Sequence, residues 1–174
     1  MPYAVTLRLD AEAAAEVERL RAAIEAEILI EYAPHVTLAV YPDDRDVDEL
    51  RRMVETLAAR WPALAVRFAA LGLFVGAATV VWVAPVVTGE LLRRHAELVA
   101  MVAAGHPHYW PGSWVPHVTL AERLTGAGAA EAIIALDTIW QPFCGTLDRM
   151  EIVHFAPVEI VASWPLARSY AGCA

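Results

Sequence analysis

The chain has 174 residues, of which 58% are hydrophobic and 20% charged, enough apolar material for one packed domain and incompatible with a disordered chain. Its formal net charge is −8, with 21 acidic against 13 basic residues. That balance argues against tracking a long nucleic-acid backbone but leaves room for one nucleotide or an RNA end in a locally basic cleft. All 13 basic residues are arginines, which excludes a Schiff-base lysine, a Walker-type phosphate lysine and a lysine nucleophile for nucleotidyl transfer.

The alternating stretch Tyr3–Leu9 predicts a strand whose apolar face is Tyr3, Val5, Leu7 and Leu9, with Thr6 and Arg8 turned toward a cleft. Asp10 suits an N-cap, opening a helix over residues 11–29. The run HVTLAVY, His35–Tyr41, is a strand, and Asp46 with Glu49 forms a capping-box pattern before a helix ending near Ala59. LAVRFAALGLF returns to strand. Residues 68–87 then carry no charge, which is long enough to suggest a membrane span. Their β-branched residues, interrupted by Gly72, Gly76 and Pro85, instead predict two buried strands joined through GAAT. Thr88 caps a helix over residues 89–104, and an aromatic, proline-rich loop covers 106–114. Next come a strand at 117–123, a helix at 130–140 and strands at 145–155 and 158–164. No basic region followed by an apolar core opens the chain, so no secretory signal is read. Cys144 and Cys173 build no disulfide framework, and a reducing cytoplasm is the expected setting.

The hexapeptide PHVTLA occurs twice, at residues 34–39 and 116–121. Around each copy the order is strand, helix, PHVTLA strand, helix, strand. This predicts a single α+β domain with an internal duplication, its halves roughly 1–76 and 77–174. Such elements pack as antiparallel sheets with helices on the outer faces, and two related lobes place the repeats across a central cleft. A solenoid does not fit two units of this length.

On a strand His35 and Thr37 share one face and Val36 and Leu38 the other; the same holds for His117 and Thr119 against Val118 and Leu120. Bringing the copies together gives two imidazoles and two hydroxyls. One imidazole can accept a proton while the other donates one, and each threonine can donate to a phosphate oxygen, so phosphodiester chemistry without a metal or cofactor is expected. A zinc site is the weaker reading, because no further ligands recur at ligand spacing. His106 and His108 are read as solvated loop residues, and His95 and His154 as structural.

The paired motifs resemble the two His-x-Thr signatures of the two-histidine phosphoesterase superfamily, whose best-known branch is the bacterial 2′-5′ RNA ligase-like proteins. The resemblance spans nearly the whole chain. It implies a bilobal α+β fold and metal-independent hydrolysis or formation of 2′,3′-cyclic or 2′-5′ phosphodiesters, with His35, Thr37, His117 and Thr119 as the catalytic positions. The chain departs from the pattern at one place. The RNA ligase-like branch commonly reads His-x-Thr-x-x-Arg in its second motif, whereas here Glu122 stands there and Arg123 comes one position later. Strand alternation without a bulge puts Arg123 on the face of His117 and Tyr41 on the face of His35, making both candidate substrate-binding residues. Trp82 takes the place of Thr6 in the second half and is read as a base-stacking or core residue, and Trp110 and Trp114 as cleft gates or loop anchors. The expected partner is a small nucleotide or an RNA end carrying a cyclic phosphate, with no long nucleic acid and no membrane, and the chain is expected to be a monomer. Hydrolysis leads; reversible 2′-5′ ligation at the same site and a non-catalytic nucleotide-binding module are the alternatives.

Overall fold

A computed structural model of the chain describes residues 2–24, 30–102, 105–155 and 157–168. The elements run β1 (Tyr3–Leu9), α1 (Ala11–Ala22), β2 (His35–Tyr41), α2 (Val47–Ala58), β3 (Leu64–Phe74) and β4 (Thr79–Pro85). They continue with α3 (Gly89–Met101), a 3₁₀ turn (Pro107–Tyr109), β5 (Val118–Leu124), α4 (Gly126–Asp137), β6 (Phe143–His154) and β7 (Glu159–Pro165). The 68–87 run is the β3–β4 hairpin, and no described helix is long and apolar enough to cross a membrane.

Each α-helix starts on a side-chain cap. Asp10 accepts from the Ala13 amide, Asp46 from those of Asp48 and Glu49, Thr88 from Leu91 and Thr125 from Gly128. The second Asp10 oxygen also accepts from the Thr146 amide at 2.7 Å, tying the start of α1 to β6. Helix α4 begins four residues before its expected start, because the Thr125 cap offsets the poor helix propensity of Gly126 and Gly128. Residues 25–29, the expected end of the first helix, lie outside the described residues.

All strand pairs are antiparallel, in the order β2-β1-β6-β3-β4-β5, with β7 also beside β6. The α+β class stands, but the two expected sheets are one. Long β6 joins them. One edge pairs with β1, while its other edge pairs first with β3, Phe68 opposite Phe143, and then with β7, Arg149 opposite Pro165. Val36, Leu38, Val118 and Leu120 are buried as their alternation requires. Cys144 lies on β6, and Cys173 lies outside the described residues.

Candidate active site

The same local device sets both motif histidines. Each follows a proline, and each ring turns back so that Nδ1 donates to the carbonyl two residues earlier: His35 to Ala33 at 2.9 Å and His117 to Val115 at 2.8 Å. A carbonyl only accepts, so the proton of the neutral ring is fixed on Nδ1 and Nε2 keeps its lone pair. Neither Nε2 has a hydrogen-bond partner among the described residues. Thr37 and Thr119 lie on the same strand faces as their histidines, and all four side chains line one cleft of about 920 Å³.

β2 and β5 are the two ends of the sheet path, yet residues of the two approach within 8 Å between Cα atoms. The carbonyl of each motif threonine is held from the other half of the chain. Trp114 Nε1 donates to the Thr37 carbonyl at 2.9 Å; Arg21 donates to the Thr119 carbonyl through Nε at 3.2 Å and Nη2 at 2.9 Å. Trp114 is itself fixed by a flat stack on His95, 4.0 Å between ring centroids, and His95 Nε2 donates to the Tyr109 carbonyl at 2.8 Å. These contacts fill the open edges, which would otherwise present unpaired backbone groups.

Behind the two histidines the surroundings differ. Strand register puts Thr6 opposite both Thr37 and Glu151; the matching positions are Trp82 opposite both Thr119 and Gly72. The first set is polar. Tyr32 donates to the buried Glu151 and accepts from Thr6 at 3.0 Å, while Arg8 and Ser163 donate to Glu151 at 3.1 and 2.8 Å. The Tyr32 ring lies 4.4 Å from that of His35. The second set is aromatic. Phe74 stands edge-on to His117 at 4.8 Å, and Trp82 lies 5.1 Å from Phe74 and 6.1 Å from His117. Trp82 occupies space that only glycine leaves, since a Cβ on Gly72 would sit 2.2 Å from the indole.

Titration reflects the surroundings. Burial, foremost, pushes His35 down from 6.5 to about 4; the Ala33 hydrogen bond opposes this, and the positive charges of Arg21, His117 and Arg8 add to it. His117 is also lowered by burial, against the Val115 hydrogen bond. Burial alone would raise Glu151, but hydrogen bonds from Tyr32 and Ser163 and the charge of Arg8 keep its carboxyl low. Burial and the Glu151 hydrogen bond raise the Tyr32 hydroxyl.

Two of the three expected substrate-binding residues are placed differently. In β2 the partners of Val5 and Thr6 are Ala39 and Thr37, so Leu38 is skipped in a bulge; in β5 the partners of Val81 and Trp82 are Ala121 and Thr119, skipping Leu120. The repeat thus carries the same bulge twice. Each bulge reverses the facing of the residues beyond it, turning Tyr41 into the core at 1% exposure and away from the cleft. In β5 it brings Glu122 to the cleft. Arg123 also lines the cleft, as expected, but through a left-handed backbone at φ 58° rather than simple alternation. Trp82 does not line the cleft; it backs Phe74, which does. Trp114 lines the cleft and Trp110, 48% exposed, does not. Among the described residues no group of three or more His, Cys, Asp or Glu side chains is placed to hold a metal ion.

Tyr32, Phe74 and Arg21 escaped the motif reading. Tyr32 had a signal, because an aromatic residue stands three positions before each motif histidine, Tyr32 before His35 and Trp114 before His117. Arg21 had none, as its partners lie 98 and 11 residues away.

Residues 9–158 match the sequence model of the 2′-5′ RNA ligase superfamily. The chain belongs to this superfamily. A Geobacillus kaustophilus protein named as a candidate phosphoesterase is 27% identical over 124 residues, covering 70% of this chain and 69% of the relative. Among solved structures, TT0787 of Thermus thermophilus superposes with a TM-score of 0.70 at 16% identity, covering 98% of this chain and all of the other. LigT of Escherichia coli, solved with 3′-AMP, does so with a TM-score of 0.64 at 16% identity, covering 95% of this chain and 97% of LigT. At such identities the two structures bear on the fold: the superfamily's α+β architecture is present along nearly the full chain.

Proposed function

We propose that this superfamily member is a metal-independent phosphodiesterase that hydrolyses a 2′,3′-cyclic or RNA-terminal phosphodiester. The observation that carries this reading is the matched pair of Nδ1 locks, which leaves two free Nε2 atoms and two threonine hydroxyls on one cleft. His35, the more strongly depressed imidazole, is the base: its Nε2 takes a proton from water as the water oxygen bonds to phosphorus. His117 is the acid: its Nε2–H protonates the ribose oxygen as the phosphorus–oxygen bond to it breaks. Thr37 and Thr119 donate to the non-bridging oxygens, where negative charge builds. The product is a phosphomonoester, and proton exchange with solvent resets the pair. Negative charge on the bound diester favours imidazolium, so substrate itself supplies the field that charges His117. With a 5′-hydroxyl attacking in place of water and the 3′-oxygen as the protonated leaving group, the same steps form a 2′-5′ bond.

The test is turnover of nucleoside 2′,3′-cyclic phosphates in the presence of a chelator. His35→Asn and His117→Asn should each cost roughly 10²–10⁴ in rate. The double variant should cost far less than the product of the two, since acid and base act as a unit. Activity that is abolished by chelation and restored by zinc or manganese would replace this reading with a metallohydrolase.

A further inference from the structure

The charges on the cleft wall limit what can be bound beside the reacting phosphate. Among the described lining residues Arg123 is the one arginine, and it shares the wall with two carboxylates, Glu31 and Glu122. Glu122 Oε1 lies 3.9 Å from Arg123 Nε, so the cation is partly neutralised before a ligand arrives. Beside His117 the wall carries the Phe74 ring, and Val80, Val115 and Phe155 add apolar surface to the cleft. Arg8 and Arg21, the cations that bear on His35, are committed to Glu151 and to the Thr119 and Tyr32 carbonyls. An RNA chain brings one phosphate per nucleotide and is held by basic, aromatic-lined grooves. Beyond Arg123, already facing Glu122, the described lining residues hold no arginine for a second phosphate.

We infer that Glu122 determines specificity by restricting the substrate to a small cyclic diester of single negative charge, at the expense of the same cyclic end carried on an RNA chain. The inference rests on the phosphodiesterase reading above. Two backbone irregularities build the device: the Leu120 bulge brings Glu122 to the side of Thr119, and the left-handed Arg123 brings its guanidinium to the same wall. A non-glycine residue at φ 58° is uncommon and costly, and such strain clusters at binding sites. Adjacent residues of opposite sign therefore face the ligand. Glu122 accepts hydrogen bonds from hydroxyl or amino groups of a nucleoside and repels a further phosphate.

The experiment compares kcat/KM for a nucleoside 2′,3′-cyclic phosphate and for a trinucleotide ending in the same cyclic phosphate, at low and at physiological salt. The unmodified protein should prefer the mononucleoside by roughly tenfold at low salt, with the margin narrowing as salt screens the repulsion. Glu122→Gln should cut that preference by roughly fivefold, and Glu122→Arg should cut it further. The Glu122 side chain is 43% exposed, and thermal melts confirm that the variants are folded. Equal or faster turnover of the trinucleotide by the unmodified protein overturns the inference and leaves the phosphodiesterase reading standing. So does a preference unchanged in both folded variants. Hydrolysis of neither substrate overturns the phosphodiesterase reading, and the inference with it.

Discussion

Acidification protonates the His35 imidazole in the unfolded chain long before it does so in the folded one. Unfolded, the ring titrates at its ordinary 6.5; in the cleft, burial and the nearby positive charges hold it down to about 4. Each tenfold change in proton affinity is worth about 1.4 kcal/mol, so the gap amounts to about 3.5 kcal/mol, and solvent at the partly exposed ring reduces this to about 2–3 kcal/mol. The unfolded state takes up the proton first, so this part of the stability is intact above pH 6.5 and is lost as pH falls toward 4. The assay is urea unfolding at several pH values for the unmodified protein and for His35→Asn. Asparagine keeps an N–H where Nδ1 stood, able to donate to the Ala33 carbonyl, and does not titrate. The carboxylates and the other histidines titrate in both proteins and cancel in the difference. That difference should shift against the unmodified protein by about 2–3 kcal/mol between neutral pH and pH 4. A difference that stays flat would refute the claim that the ring is held neutral by its surroundings.

The pH profile of kcat/KM, which reports the free enzyme, should be bell-shaped with its maximum below pH 6.5, its acid limb set by His35 and its alkaline limb by His117. The kcat profile should lie higher, since bound phosphate charge favours imidazolium; a kcat/KM maximum near pH 8 would reverse the role assignment or sink it. Thr37→Val and Thr119→Val keep the strand shape while deleting one donor each, so each should cost roughly 10–10²-fold in kcat, less than either histidine, with unfolding midpoints little changed. Gly72→Ala should lower stability by about 1–3 kcal/mol through its clash with Trp82 and raise KM as Phe74 is pushed toward the cleft. Unchanged melting and kinetics would mean that the indole has somewhere else to go.

Strand positions were legible because β-branched alternation and Gly/Pro punctuation are local: Tyr3–Leu9, His35–Tyr41, Leu64–Phe74 and Thr79–Pro85 are found where they were read. The caps at Asp10, Asp46 and Thr88 were legible for the same reason. The four motif residues were legible through repetition. Tyr41 was misplaced because a bulge is a property of a strand and its partner, and its one local trace, the buried pair Leu38–Ala39, looks like ordinary core. The merging of two sheets into one was hidden too, since it depends on which edge of β6 meets β3, a pairing of residues 75 to 83 positions apart.

Strand β6 also governs when the molecule can become itself. Of the seven strands only β7 is synthesised later, yet β1 and β3, the strands that flank β6, need it to close one of their edges. At ribosomal speeds the wait from the completion of β1 to that of β6 is on the order of ten seconds. Through that interval a β1–β2 pair and a β3–β4–β5 sheet each carry a hydrogen-bonding edge with no native partner, next to apolar surface meant for the core. A nascent chain paused before Phe143 is thus the form most exposed to wrong pairing, and chaperone capture should peak at that length and fall once His154 has left the exit tunnel.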